Sequence, residues 1–409
     1  MWRRKLLQFI LKISYYNVLL IAVLAAPMDF NTYQLHPSRT YTIYCAIMHF
    51  SYLAITPATF TSYMYERSYM SGMPVLQWVY TIANASSIFV IIVFIAGFWM
   101  RRAFVIACCK SIENFRWRYR HRLRSIMPGS MQANQKIERI MLAKYCITNV
   151  NSMLGCYIFF RMSPIHEIGF LHAAATSTLL TLFLAAIIDQ FCNIMTQLWM
   201  HFECVNQSLH SVILQLKALD HALSLGASEM LVRHRARSLQ RDLTDLNNMH
   251  HYCFQLTQRF FEMSEIVAAF VTVKVVLNNI SNLYHAVLFN NRSLTFDPLT
   301  YLTGCLLVVA FYVDTIMLIN VLDALLKAGN KPGMLLLIFL MKFMANFNAF
   351  QLDQFSLELT CRRLSYSICG LFNLDRQMGL KCLVTAIVQT TVLMQYDLKS
   401  KIILNNVTK

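Results

Sequence analysis

Residues 361–397 read CRRLSYSICGLFNLDRQMGLKCLVTAIVQTTVLMQYD. A basic, polar stretch expected to be helical leads through a hinge at Gly370 into an apolar segment from Leu380 to Met394. That segment is broken by Gln389, Thr390 and Thr391, with Gln395 just beyond it. Unpaired amides are costly in hydrocarbon, so a helix of this composition suits lipid poorly on all sides and calls for water or protein on one face. At about 100° per residue, Val384, Val388, Thr391, Gln395 and, nearly, Val392 share one stripe, alternating aliphatic and polar groups as a narrow conduction path would.

The rest of the chain agrees with a membrane setting. It has 409 residues, 57% of them hydrophobic and only 14% charged, with a mean hydropathy of +0.46; a soluble protein of this length is less apolar. The formal charge of +16 does not point to nucleic acid, because the basic residues lie between long apolar runs and no base-reading motif accompanies them. After Met1-Trp2-Arg3-Arg4-Lys5, Lys12, Tyr15, Tyr16 and Asn17 interrupt the apolar run that a cleaved signal peptide would need. The 12 cysteines are scattered, which suits reduced, packed thiols better than zinc or a disulfide framework. His250, His251 and Cys253 are the one metal-like cluster and are expected to be surface polar residues on a helix. No metal or cofactor is expected.

Seven segments match the roughly 20 apolar residues that cross a bilayer: 41–64, 75–99, 142–161, 168–197, 263–289, 299–322 and 380–396. Residues 7–30 form a moderately apolar helix, ended by Pro27 and Asp29, that lies against or dips into the membrane. Ten Lys and Arg residues fall between Arg101 and Arg139 against Glu113 and Glu138, which places that loop in the cytoplasm. The loops at 65–74 and 290–298 carry few charges and face outside. The N-terminus is then cytoplasmic and the C-terminus extracellular, with Asn291 and Asn406 in sequons open to glycosylation and Asn206 in one that is not.

The chain thus divides into an interfacial N-terminal segment (1–40), helices one to four with the basic loop 101–141 (41–199), helical cytoplasmic extensions (200–262), helices five and six (263–322), a second cytoplasmic part with the hinge (323–375), the last helix (376–397) and an outer tail (398–409). Val205, Leu209, Val212, Leu216 and Leu219, then Leu231, Leu239, Leu243 and Leu246, recur at helical spacing on either side of Gly226, so the extensions are amphipathic and need partners. Gln351–Leu364 reads as another such helix. Met334–Phe350 is apolar but broken by Lys342, Asn346 and Asn348, and is expected to be a cytoplasmic or interfacial helix rather than an eighth crossing.

The segment GLFNLD at Gly370–Asp375, followed by an apolar helix ending in Gln395-Tyr396, resembles the C-terminal signature of insect gustatory receptors: Thr-Tyr, five mostly apolar residues, then Gln-Phe. Here Val388-Gln389 stand in the Thr-Tyr places, Thr390–Met394 fill the five, Gln395 matches and Tyr396 replaces Phe. The count of seven spans also matches that family. The resemblance implies an all-α, seven-transmembrane-helix protein that assembles as a tetramer around a central pore, with the cytoplasmic helices as its anchor, in the plasma membrane of sensory neurons. It further implies a taste receptor acting as a non-selective cation channel gated by small organic tastants, bitter compounds foremost, as a homotetramer or with related subunits. In that setting Gln395 and Tyr396 form the constriction, Val388, Thr391 and Val392 line the pore, and Asp397 places carboxylates at its outer mouth.

Intramembrane polar residues are functional candidates by default. Lys274, Asn278, Asn282 and His285 form one stripe of the fifth span, and Asp314 interrupts the sixth at a depth comparable to Lys274, where the two are expected to pair. With Tyr52, Trp78, Tyr80, Tyr157 and Tyr284, this stripe is expected to wall an outward-opening ligand cavity. A G-protein-coupled receptor fits the loop charges less well. A membrane enzyme or transporter finds no supporting motif, nucleophile elbow and HExxH included.

Overall fold

The computed structural model describes residues 9, 12–13, 15–24, 26–29, 34–69, 74–126, 131–161, 168–290, 298–343 and 362–407. Seven long helices carry almost all of them: α1 (Arg39–Tyr69), α2 (Pro74–Ile126), α3 (Met131–Arg161), α4 (Ile168–Ser224), α5 (Glu229–Asn290), α6 (Pro298–Phe343) and α7 (Arg376–Val407). Each of the seven apolar runs in the sequence falls inside one of them. Two two-stranded hairpins complete the set, β1 (Met28–Asp29) with β2 (Gln34–Leu35) and β3 (Ser367–Ile368) with β4 (Phe372–Asn373). Among the described residues, Gln77–Ile112, Thr178–Ser224, Leu302–Pro332 and Arg376–Asp397 are long and apolar enough to cross a membrane.

Several helices are far longer than a bilayer requires. The 62 residues of α5 extend about 90 Å at 1.5 Å per residue, against a hydrocarbon core of about 30 Å. The excess lies at one end, where the lower parts of α2, α4, α5 and α6 pack into a second bundle. Its core runs through Phe115, Phe202, Val205, Leu209, Val212, Leu239, Leu243 and Leu246. The amphipathic stripes of the two extensions thus partly cover each other, although Leu231 stays exposed. Gly226 turns the chain between them in the left-handed region, with φ of 84°. His250 and Cys253 face this core, contrary to the expectation of surface residues, because they lie on the same side of α5 as Leu243 and Leu246.

The helices pack in a defined order. α2 lies most extensively against α5; α4 contacts α5, α6, α3 and α1; α3 also lies on α6; and α7 rests mainly on α5, with lesser contacts to α2 and α6. α2 is one helix by hydrogen bonding but bends at Arg101, where φ is −116° and ψ 16°, at the point where the apolar run gives way to basic residues. In α6, Pro332 has no N–H for the carbonyl of Ala328 four residues back. Asn206 Nδ2 donates to that carbonyl at 2.8 Å, and His250 Nε2 donates to the next one, Gly329 O, at 3.0 Å. Asn206 is therefore buried structure, 2% exposed.

The N-terminal segment is helical over residues 15–20 and stops at Ala22, whose φ is 64°. Its last carbonyls are satisfied from α1: Tyr41 and Tyr44 hydroxyls donate to Leu19 O and Leu20 O, and His49 Nε2 to Ala22 O at 2.9 Å. His49 Nδ1 then accepts from Trp99 Nε1 at 3.0 Å, which fixes the tautomer and ties the segment to α2.

Three expectations are corrected here. Residues 362–366 are not helical, and Gly370 is not a hinge: Cys369 and Gly370, with φ of 49° and 66°, form the tight turn of the β3–β4 hairpin, closed by Leu371 N–H donating to Ile368 O at 2.9 Å. The apolar stretch from Met334 is not a separate helix as far as it is described, because α6 continues through Pro332 to Phe343. The tail after Asp397 is not separate either, since α7 continues to Val407. Residues 344–361, which hold most of the expected Gln351–Leu364 helix, lie outside the described residues.

Candidate functional site

The start of α7 is set by its preceding strap. Tyr366 stacks on Phe261 of α5 with ring centroids 4.1 Å apart, and its hydroxyl pairs with Ser264 Oγ at 3.0 Å. Asn330 of α6 exchanges two hydrogen bonds with the backbone of Leu364, at 2.9 and 2.7 Å. Asp375 then caps the helix, its Oδ1 accepting the N–H of Met378 at 2.7 Å. Gly379 lies so close to α6 that an added Cβ would stand 2.7 Å from Ile319.

From this fixed start α7 presents two faces. Leu383, Ala386, Thr390 and Asp397 are buried against the bundle, and Thr390 Oγ1 donates to Ile280 O at 3.4 Å. The opposite face is open: Val384, Val388, Val392 and Tyr396 are exposed, and so are Gln389, Thr391 and Gln395. Its composition sets it apart. The exposed faces of α1 from Ile43 to Leu53 and of α6 from Leu302 to Ile316 are aliphatic or aromatic, as lipid requires, and exposed Asn320 comes one turn further along α6. The α7 face alternates amides and hydroxyls with valines, and lipid disfavours it.

Of the expected pore residues, Val388, Thr391, Val392, Gln395 and Tyr396 share this open face. Asp397 does not. It is 5% exposed, accepts a hydrogen bond from the Tyr284 hydroxyl of α5, and accepts another from the Val75 N–H of α2 at 3.4 Å. The carboxylate expected at a pore mouth instead clamps α7 to its own bundle.

The expected ligand wall is dispersed. Trp78 and Tyr157 are exposed and Tyr80, Asn278 and Asn282 half-buried, Lys274 is buried within α5, and Tyr52 is core against Phe183 at 4.5 Å. Asn291 and the side chains of His285 and Asn406 lie outside the described residues.

Asp314 does not pair with Lys274. Its Oδ1 accepts from Lys144 Nζ of α3 and from Thr148 Oγ1, both at 2.7 Å, with Asp189 of α4 4.0 Å from the same ammonium. Lys144 and Asp189 each interrupt an apolar run, so the rule that singled out Asp314 applied to them as well. What the sequence lacked was the neighbour relation of α3, α4 and α6.

A cavity of about 210 Å³ lies elsewhere, between the N-terminal segment, α2, α4, α5, α6 and the first turns of α7. Gly97, Phe98, Val271, Thr272, Ile319 and Leu383 are among its lining, and none of the residues expected to bind ligand is.

A family model described as "7tm Chemosensory receptor" matches residues 11–400. "Putative gustatory receptor 58a" of Drosophila melanogaster is 26% identical over 406 residues, covering 96% of this chain and 99% of that one. "Putative gustatory receptor 58b" of the same fly is 26% identical over 366 residues, 88% of this chain and 85% of that one. Among solved structures, the insect olfactory receptor OR5 of Machilis hrabei in complex with eugenol superposes with a TM-score of 0.62 at 11% identity, over 96% of this chain and 98% of that one.

Proposed function

We propose that this chain, which belongs to the 7tm chemosensory receptor family and within it to the insect gustatory receptors, is a ligand-gated, non-selective cation channel for small organic tastants, bitter compounds foremost. The observation that carries this reading is the open face of α7. Four copies, or copies mixed with related subunits, would bring that face to a common axis, where its amides meet water instead of lipid. Gln395 and Tyr396 form the constriction, and rings of Val388 and Val392 close by dewetting. Asp397 has no part in it. Cation preference then rests on the Gln395 amide oxygens, which replace part of an ion's hydration without fixing its size.

In this reading the basic end of the bundle is cytoplasmic, the lower helices form the anchor where subunits meet, and the receptor sits in the plasma membrane of sensory neurons. Ligand binding shifts a closed–open equilibrium by its differential affinity for the two states. The test is electrical: express the chain alone, apply a panel of bitter compounds and sugars, and compare wild type with Gln395→Ala. The variant is expected at the surface with altered conductance or ion preference. Unchanged permeation in a channel shown to be homomeric would remove Gln395 from the pore.

A further inference from the structure

The cavity behind α7 holds one fully buried acceptor without a partner among the described residues. Its lining is mostly aliphatic and aromatic, with the half-buried amide of Gln190 also on it, and its three hydroxyl side chains are engaged. Ser264, Thr272 and Thr315 donate to the carbonyls of Phe260, Ala268 and Phe311 at 2.8, 2.8 and 2.9 Å. The charges at its edge are engaged too: Arg101 donates to Glu262 O at 3.2 Å, and Asp375 caps α7. Asn279 is different. It is 1% exposed, lines the cavity, and donates through Nδ2 to Val275 O at 2.9 Å, while its Oδ1 accepts from nothing among the described residues. Flipping the amide would set oxygen against the Val275 carbonyl, so the unpaired atom is an acceptor.

The geometry points to a binding site for an uncharged, one-ring compound bearing a single hydroxyl, a phenol or cyclic alcohol, whose ring fills the apolar space and whose O–H donates to Asn279 Oδ1. Size agrees. An apolar cavity of about 150 Å³ holds benzene, and this one, at about 210 Å³, has room for a substituted ring. Buried acceptors left without a donor are rare in folded proteins, and each calls for a partner. The site also touches α7 directly at Gly379, Cys382 and Leu383, so an occupant bears on the helix that follows the strap. It is read by binding alone and stands apart from the pore, because a channel without current leaves it intact and an empty cavity leaves the pore intact.

The probes are 4-ethylphenol and 4-ethyltoluene, in which a methyl replaces the hydroxyl. They are titrated calorimetrically into the full chain in lipid nanodiscs, with empty nanodiscs subtracted. Saturable binding of the phenol is expected, with the toluene about tenfold weaker for want of one hydrogen bond. Gly97→Leu should abolish both, because Gly97 lines the cavity, a Cβ there meets nothing within 4 Å, and the added side chain takes up the space a ring would fill. Val267→Phe fills the same space from α5 and serves if the first variant does not fold. Asn279→Leu should erase the preference between the probes. Heat equal to that of empty nanodiscs, equal affinity for both probes in the wild type, or wild-type binding in either filled variant would overturn the proposal.

Discussion

Gln395 and Asp397 stand two positions apart in a polar cluster, yet about 200° of helical rotation separates them, and they end on opposite sides of α7. One face of the helix cannot hold both, and Asp397 is buried against Tyr284 and Val75. Lys144 and Asp314 raise the same question at the other side of the bundle. Their 2.7 Å pair is buried, with Asp189 as a second carboxylate. Lys144→Met leaves two carboxylates without their cation and should cost roughly 3–5 kcal/mol. Adding Asp314→Leu should recover part of that loss, measured as unfolding temperature in detergent; a silent single variant would show that the pair is not structural. His250 gives a pH signature. Burial pushes its imidazole down to about 4, partly offset by the bond to Gly329 O, from an ordinary value near 6.5. The unfolded chain therefore takes up a proton that the folded chain refuses, so this contribution is present above about pH 6.5 and lost as pH falls toward 4. Thermal stability should fall across that window, and His250→Gln should flatten the fall.

At the scale of elements, the helices were legible and their junctions were not. Seven apolar runs in the sequence became seven helices because hydrophobic length is a local property. The strap from residue 362 to 375 has no local signature, because its conformation is set from outside, by Tyr366 stacking on Phe261 and by Asn330 pairing with Leu364. The role of Asn206 could have been found only by knowing that Pro332 frees a carbonyl opposite it. The approach of α7 to α6 at Gly379 belongs to the same class. Gly379→Ala puts a methyl within 2.9 Å of three atoms of Ile319, closer than carbon atoms tolerate, so either the isoleucine or the start of α7 must move. A stability loss of about 1–3 kcal/mol is expected, together with a shifted closed–open balance in current recordings. Unchanged stability and gating together would mean that this contact does not position α7.

At the scale of the whole molecule, one face carries the proposed function. Periodicity alone puts Val384, Val388, Thr391, Gln395 and, nearly, Val392 on one stripe, and in the folded chain they lie together on an open, mixed surface, with Tyr396 beside them. The ligand wall is less legible, because intramembrane polarity marks packing and binding alike: Asp314 and Tyr284 bind the protein itself. In the proposed channel, neighbouring subunits cover the open face of α7. Electron cryo-microscopy of the assembled receptor tests this: α7 of each subunit should stand at a shared axis with Val388 and Gln395 turned toward it and Asp397 turned away. An assembly with α7 off the axis and its amide-bearing face against lipid would contradict the channel.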